Sequence, residues 1–221
     1  MSEPAWPQIG ILIGRSPSPV LVLPGDLSRR DAALEALQVS TSSFLGALVG
    51  ECGALVVDHG WLRILGAGAD GLPGVHEVNL LAGGPPPLLE VAWDAIGGRF
   101  AINGGGLDAS PGEVCYWGPD TLDWTPIGAG HSAFVAWALS GAMADFYTSL
   151  RWPGWERETE VLSPAEGLCL WPPPCASEGR DPAKVSRSAV PMTELHGVYA
   201  DLAQQLREAP DGSAFTLEVT E

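Results

Sequence analysis

The order in which two periodicities appear along the chain constrains its fold more than any other feature. From Ala54 to Pro126, short apolar runs alternate with turn residues; beyond Ser132 the apolar residues fall at helical spacing. Strands are predicted at 46–49, 54–57 and 61–65, then at 88–93, 99–102, 114–117 and 122–126. Asp58-His59-Gly60 supplies a three-residue hairpin loop ending in glycine, and Gly118-Pro119-Asp120-Thr121 supplies a turn whose proline presets the second position. An extended piece over 16–24, with prolines at 17, 19 and 24, predicts a strand at a sheet edge, because proline removes a ladder donor. A helix from Ser28 follows it, with Ser28 as N-cap and Ala33, Leu34 and Leu37 as its buried face.

After the change of period, Val135, Leu139, Met143, Phe146 and Leu150 form one stripe, predicting a single helix over 134–150 capped by Ser132. Phe134 and Trp137 lie on another side and are apolar too, so this helix should be covered on several sides. A short helix at 156–162, a strand at 168–171 and a polar loop at 172–190 come next. The final helix carries Leu195, Val198, Tyr199, Leu202 and Leu206 on one stripe. Strands gathered together with helices after them predict an α+β class: an antiparallel sheet with helices packed mainly on one face. No repeat or linker interrupts the chain, so a single domain over 1–221 is expected, with an ordered core of 16–208 and a mobile tail beyond Pro210.

Charge narrows the range of partners. Twenty-seven acidic residues against eleven basic ones give a net charge of −16. Such a field repels a phosphate backbone, which argues against nucleic acid, and attracts a basic protein. It also serves simply to keep a chain that is 46% apolar in solution. The stretch 124–144 is uncharged, but Pro126, Gly128, Gly130 and Gly141 make it a poor membrane span. The amino terminus lacks the basic and apolar regions of an export signal, so a cytoplasmic protein is expected.

Few residues suggest chemistry. Gly66-Ala67-Gly68-Ala69-Asp70-Gly71 has dinucleotide-binding spacing, yet Leu72, Pro73 and Gly74 follow where a helix would have to begin, so a glycine-rich turn is predicted and no cofactor. His59, His76, His131 and His196 are scattered, and Cys169 and Cys175 flank three prolines, unlike a metal knuckle; no metal site is expected. Cys52 and Cys115 fall in predicted strands or beside them, as small buried hydrophobes. Asp58 beside His59 could be an acid–base pair, although neighbours in a hairpin turn usually point to water. A hydrolase with a Cys/His or Asp/His site assembled across strands is therefore the alternative to a non-enzymatic binder.

The segment Leu150-Arg151-Trp152-Pro153-Gly154-Trp155-Glu156 is the most distinctive. Two tryptophans around Pro-Gly make a rigid corner, which either seals a helix end or anchors an interface, where Trp and Arg are enriched. Arg151, Trp152 and Trp155 in this corner, with Asp120, Asp123 and Trp124 in the acidic aromatic turn, are the candidate partner-binding residues.

The stretches 58–66, 100–105, 119–124, 134–141 and 146–156, with Asp-His-Gly-Trp-Leu-Arg and Leu-Arg-Trp-Pro-Gly-Trp at their centres, resemble an uncharacterised bacterial family of unknown function. The resemblance spans about 23–206 and implies no particular reaction. The order of strands, turns and helices, with the acidic charge, also resembles the SUKH superfamily. That likeness implies an immunity-type protein whose partner is a basic toxin.

Overall fold

A computed structural model describes residues 3–69, 71–79 and 87–208. The expected tail beyond Pro210 lies outside the described residues, as do Asp70, Pro85 and Pro86. Seven strands form one meander in chain order: β1 Val20–Leu23, β2 Ala54–Val57, β3 Leu62–Leu65, β4 Leu88–Asp94, β5 Arg99–Asn103, β6 Glu113–Trp117 and β7 Trp124–Gly130. Every neighbouring pair is antiparallel. β1 lies at the edge, where its flanking prolines do no harm to the ladder. The α+β class with an antiparallel sheet is therefore the architecture of the chain.

The helices are α1 Trp6–Arg15, α2 Leu27–Leu37, α3 Phe44–Glu51, α4 Val75–Val78, α5 His131–Ala138, α6 Met143–Phe146, α7 Trp155–Glu160 and α8 Met192–Glu208. Three of them correct the expectations. Residues 46–49 belong to α3, not to a strand: Ser43 caps it by accepting from the Gly46 amide at 3.0 Å. Leu45 through Gly50 are all buried, so the run carries no polar face to betray its helical period. The single helix expected over 134–150 is two pieces, α5 and α6, parted where Gly141 takes a φ of +85°. Glycine reaches that conformation without steric cost. Ahead of β1, α1 starts at Trp6 with a proline in its first turn and buries Ile9, and the Ala5 amide donates to the Thr41 carbonyl at 2.8 Å.

Smaller differences follow the same logic. The cap of α2 is Asp26, which accepts from the Ser28 amide, two residues earlier than expected. The region read as the loop 172–190 contains β9 Ser186–Pro191, paired with β8 Glu166–Trp171, and a 3₁₀ turn at Ser177–Gly179. Leu195, Tyr199 and Ala203 form the buried stripe of α8, while Val198 and Leu206 face outward. Among the described residues no helix is long and apolar enough to cross a membrane.

Register fixes which side chains share a face, because directly paired residues point the same way. One row crosses the whole sheet: Leu21, Val56, Arg63, Trp93, Arg99, Trp117 and Trp124. Its central part meets α8, with the His196 ring edge-on to Trp93 at 5.1 Å and Tyr199 beside Trp117 at 6.1 Å. The opposite face carries Leu55, Leu62, Ile64, Ala92, Phe100 and Tyr116. There α5 and α6 cover it, Phe134 packing on Phe100 at 4.8 Å and Phe146 on Tyr116 at 5.1 Å.

Candidate functional site

The Asp58-His59-Gly60 loop folds as its composition demands: all three residues have positive φ, and Gly60 has no room for a side chain against the Thr159 carbonyl. Thr159 closes the loop by donating from Oγ1 to the His59 carbonyl at 2.8 Å. Asp58 does not point to water. It is buried and accepts from Arg151 Nη2 at 2.7 Å. The Arg151 guanidinium lies 3.9 Å from the centre of Trp155, 4.7 Å from Trp61 and 5.2 Å from Tyr147. An ion pair inside an aromatic box has its charge balanced and its flat faces covered. Trp152, 3% exposed, donates to Glu158 and carries Arg187 over its ring at 4.6 Å. Arg187 pairs with Glu158 at 2.8 Å and holds its carboxyl below the usual range. The corner at 151–155 is thus a seal between distant chain segments, with Trp155 half-buried as its outer lid.

The other candidates lie elsewhere. Asp120 and Asp123 are exposed in the β6–β7 turn, and Asp123 accepts from the Trp124 amide at 2.8 Å. Trp124 ends the row on the α8 face, where Arg99 sits 5.5 Å from its ring and 4.7 Å from Trp117. Among the described residues no hydrogen bond or ion pair joins these three to Arg151, Trp152 or Trp155.

Asp120 does, however, edge a groove of about 430 Å³ walled by Ile127, Phe134, Trp137, Phe146 and Leu150. Phe146 is 38% exposed, its ring edge-on to Trp137 at 5.3 Å. Pockets of this size with apolar walls and few polar groups are the usual form of a binding site. The sequence held a signal for these walls: Phe134 and Trp137 lie off the main apolar stripe. Helical spacing alone puts Phe146 on the buried stripe, and the break at Gly141 turns it outward.

Behind the groove lies Asp94, fully buried. Its Oδ2 accepts from the Tyr116 hydroxyl at 2.8 Å and the Tyr147 hydroxyl at 3.1 Å. Its Oδ1 accepts from the amides of Gly98 at 2.7 Å and Ile96 at 3.0 Å. Burial pushes its pKa up, and these four donors oppose the rise. The carboxyl is saturated by structure and ties together the β4–β5 turn, β6 and the segment after α6.

Burial dominates the surroundings of several other reactive groups. Cys52 sits at the end of α3, donates to the Leu48 carbonyl at 3.3 Å, and burial pushes its thiol up to about 12. A thiol so placed is not a nucleophile. Cys115 is buried within β6. His59 Nδ1 stands 3.9 Å from Glu160. Burial lowers His131 to about 4 and His196 to about 3, so both are neutral at pH 7. The glycine-rich segment leads into α4, a single turn whose first free amide, Gly74 N, is taken by Glu77 at 2.8 Å. Among the described residues no three His, Cys, Asp or Glu side chains group as metal ligands.

Comparison with known proteins agrees with the resemblance read from the motifs. An uncharacterized Escherichia coli (strain K12) protein, YbfG, is 37% identical over 172 residues, covering 77% of this chain and 80% of its own. An uncharacterized Haemophilus influenzae (strain KW20) protein is 35% identical over 164 residues, 72% of each chain. No solved structure matches. The family model described as "Protein of unknown function DUF2625" matches residues 1–195, and the chain belongs to that family.

Proposed function

We propose that this chain is a non-enzymatic protein-binding module whose partner is basic and docks an apolar side chain in the groove beside Phe146. The observation that carries this reading is the groove itself: aromatic walls, an exposed Phe146, and Asp120 at the edge of a protein with net charge −16. Apolar anchors supply dwell time, and a surrounding acidic field supplies fast, selective encounter with a cationic surface. The immunity-type form of the reading, with a basic toxin as partner, draws on the SUKH-like order of elements and on the charge. Such a binder would work in the cytoplasm, where thiols such as Cys52, Cys115, Cys169 and Cys175 stay reduced.

The test places a photo-crosslinking residue at position 146 in cells of the source organism. The captured protein is then purified and its binding kinetics measured. A basic partner is expected, with an association rate that falls steeply as the Debye length shrinks from about 10 Å at 0.1 M salt to about 3 Å at 1 M. Phe146→Ser should raise the dissociation rate at least tenfold, equivalent to about 1.4 kcal/mol. A neutral or acidic partner, bound at a rate indifferent to salt, overturns the reading.

A further inference from the structure

Arg63 is a charged side chain with almost none of its hydrogen bonds made. It sits in β3, 1% exposed. Its Nη2 donates to the Glu166 carbonyl at 3.0 Å, while Nε and Nη1 have no acceptor among the described residues. A guanidinium offers five N–H donors, and a buried donor left without an acceptor keeps the full cost of losing its water. Burial pulls its pKa down to about 10, with Asp94 and Glu166 pulling the other way, so it remains charged at neutral pH.

The same residue lines a cavity of about 290 Å³ on the Val56 side of the sheet. Leu21, Val56 and Arg63 form its floor as one cross-strand row, and Leu162 and Pro164 stand over them from the segment between α7 and β8. Whichever Nη2 proton the Glu166 carbonyl takes, one complete two-donor edge of the guanidinium stays free. A carboxylate fits such an edge with two parallel bonds. Glu160, beside His59 among the lining residues, and the net charge of −16 disfavour a dianion such as phosphate.

We propose that this cavity is a ligand site for a small monocarboxylate with a short apolar body, held by Arg63 beneath and by Leu21, Val56 and Leu162 around it. It is separate from the groove beside Phe146 and does not depend on the binding function proposed there.

Hexanoate is the probe, titrated into the whole protein carrying ¹⁵N-arginine, with the guanidinium Nε–H signal of Arg63 as readout. Hexanol supplies the same body without charge, and inorganic phosphate a charge without the body. A saturable shift of the Arg63 signal by hexanoate alone is expected, with a Kd on the order of 1 mM or tighter. Leu162→Trp, which fills the cavity, should abolish it; if that variant does not fold, Leu21→Trp at the exposed edge narrows the same space. No saturable shift in the millimolar range, an equal shift with hexanol or phosphate, or a shift that survives the filled cavity overturns the proposal.

Discussion

Arg151 and Arg63 are both held away from water, each with one hydrogen bond and a buried Nε left over, and they differ in what faces the charge. Arg151 has a carboxylate at 2.7 Å and aromatic rings on three sides. Arg63 has one backbone carbonyl. Burying a charge costs several kcal/mol, and the loss is offset only when a counter-ion and hydrogen bonds are in place. The first arginine is a rivet between chain segments; the second stores an unmet demand. Natural proteins keep such unmet demands mostly where something is to be bound.

Among single substitutions, the largest effect should come from breaking the Asp58–Arg151 ion pair. Asp58→Ala leaves the Arg151 charge buried without its partner and should destabilise by about 3–5 kcal/mol in urea unfolding. A loss below about 1 kcal/mol would mean that the aromatic box alone suffices.

Protonating buried histidines tests the same rule from the other direction. His131 has both ring nitrogens enclosed and unpartnered, and His196 lies near Arg99. Their folded pKa values lie below the ordinary 6.5, so the unfolded chain takes up protons first as pH falls. Stability from these two groups is full above about 6.5 and declines toward pH 4. Each tenfold weakening of proton affinity on folding is worth about 1.4 kcal/mol, which makes the loss on the order of 3 kcal/mol for each of the two groups by pH 4. Thermal melts from pH 7 to 4 should show it, and His131→Gln should flatten the slope.

Arg63→Met removes an uncompensated charge and keeps the volume. It should be neutral or stabilising by about 1–2 kcal/mol in the same urea assay. Destabilisation as large as that of Asp58→Ala would erase the contrast between the two arginines. Glu158→Gln should matter least, by no more than about 1 kcal/mol, because the Arg187–Glu158 pair is partly open to solvent. The lowered pKa of Glu158 means that its contribution persists above pH 4.5 and fades as pH falls through the folded value.

The meander was legible because turns and prolines punctuate it: the Asp58 loop, the Pro119 turn and the edge prolines are where the residues put them. The strand reading of 46–49 failed because a helix buried all round lacks a period. The helix reading of 134–150 failed because one glycine interrupts a stripe that is otherwise continuous. At the candidate site, two tryptophans and an arginine around Pro-Gly were visible, but their role was not. Asp58, the partner of Arg151, is 93 residues away, and no local pattern announces that pairing. Arg63 left a fainter mark, a lone cation in an apolar strand, whose meaning depends on what packs above it.

Strand order has a consequence for how the chain acquires its shape. Each strand of the sheet pairs with the one synthesised just before it, so pairing can proceed in chain order, with the least loop entropy to overcome across the short connections from β2 to β3 and from β4 to β7. The rivet cannot close on that schedule. Asp58 and Trp61 must wait for Arg151, Trp152 and Trp155, which arrive only after all seven strands are made. A nascent chain stopped near residue 140 would carry a paired sheet, a buried carboxylate without its cation and Trp61 without its cover. Such a chain would expose groups that the finished fold seals, and exposed apolar surface is what misassembly acts on.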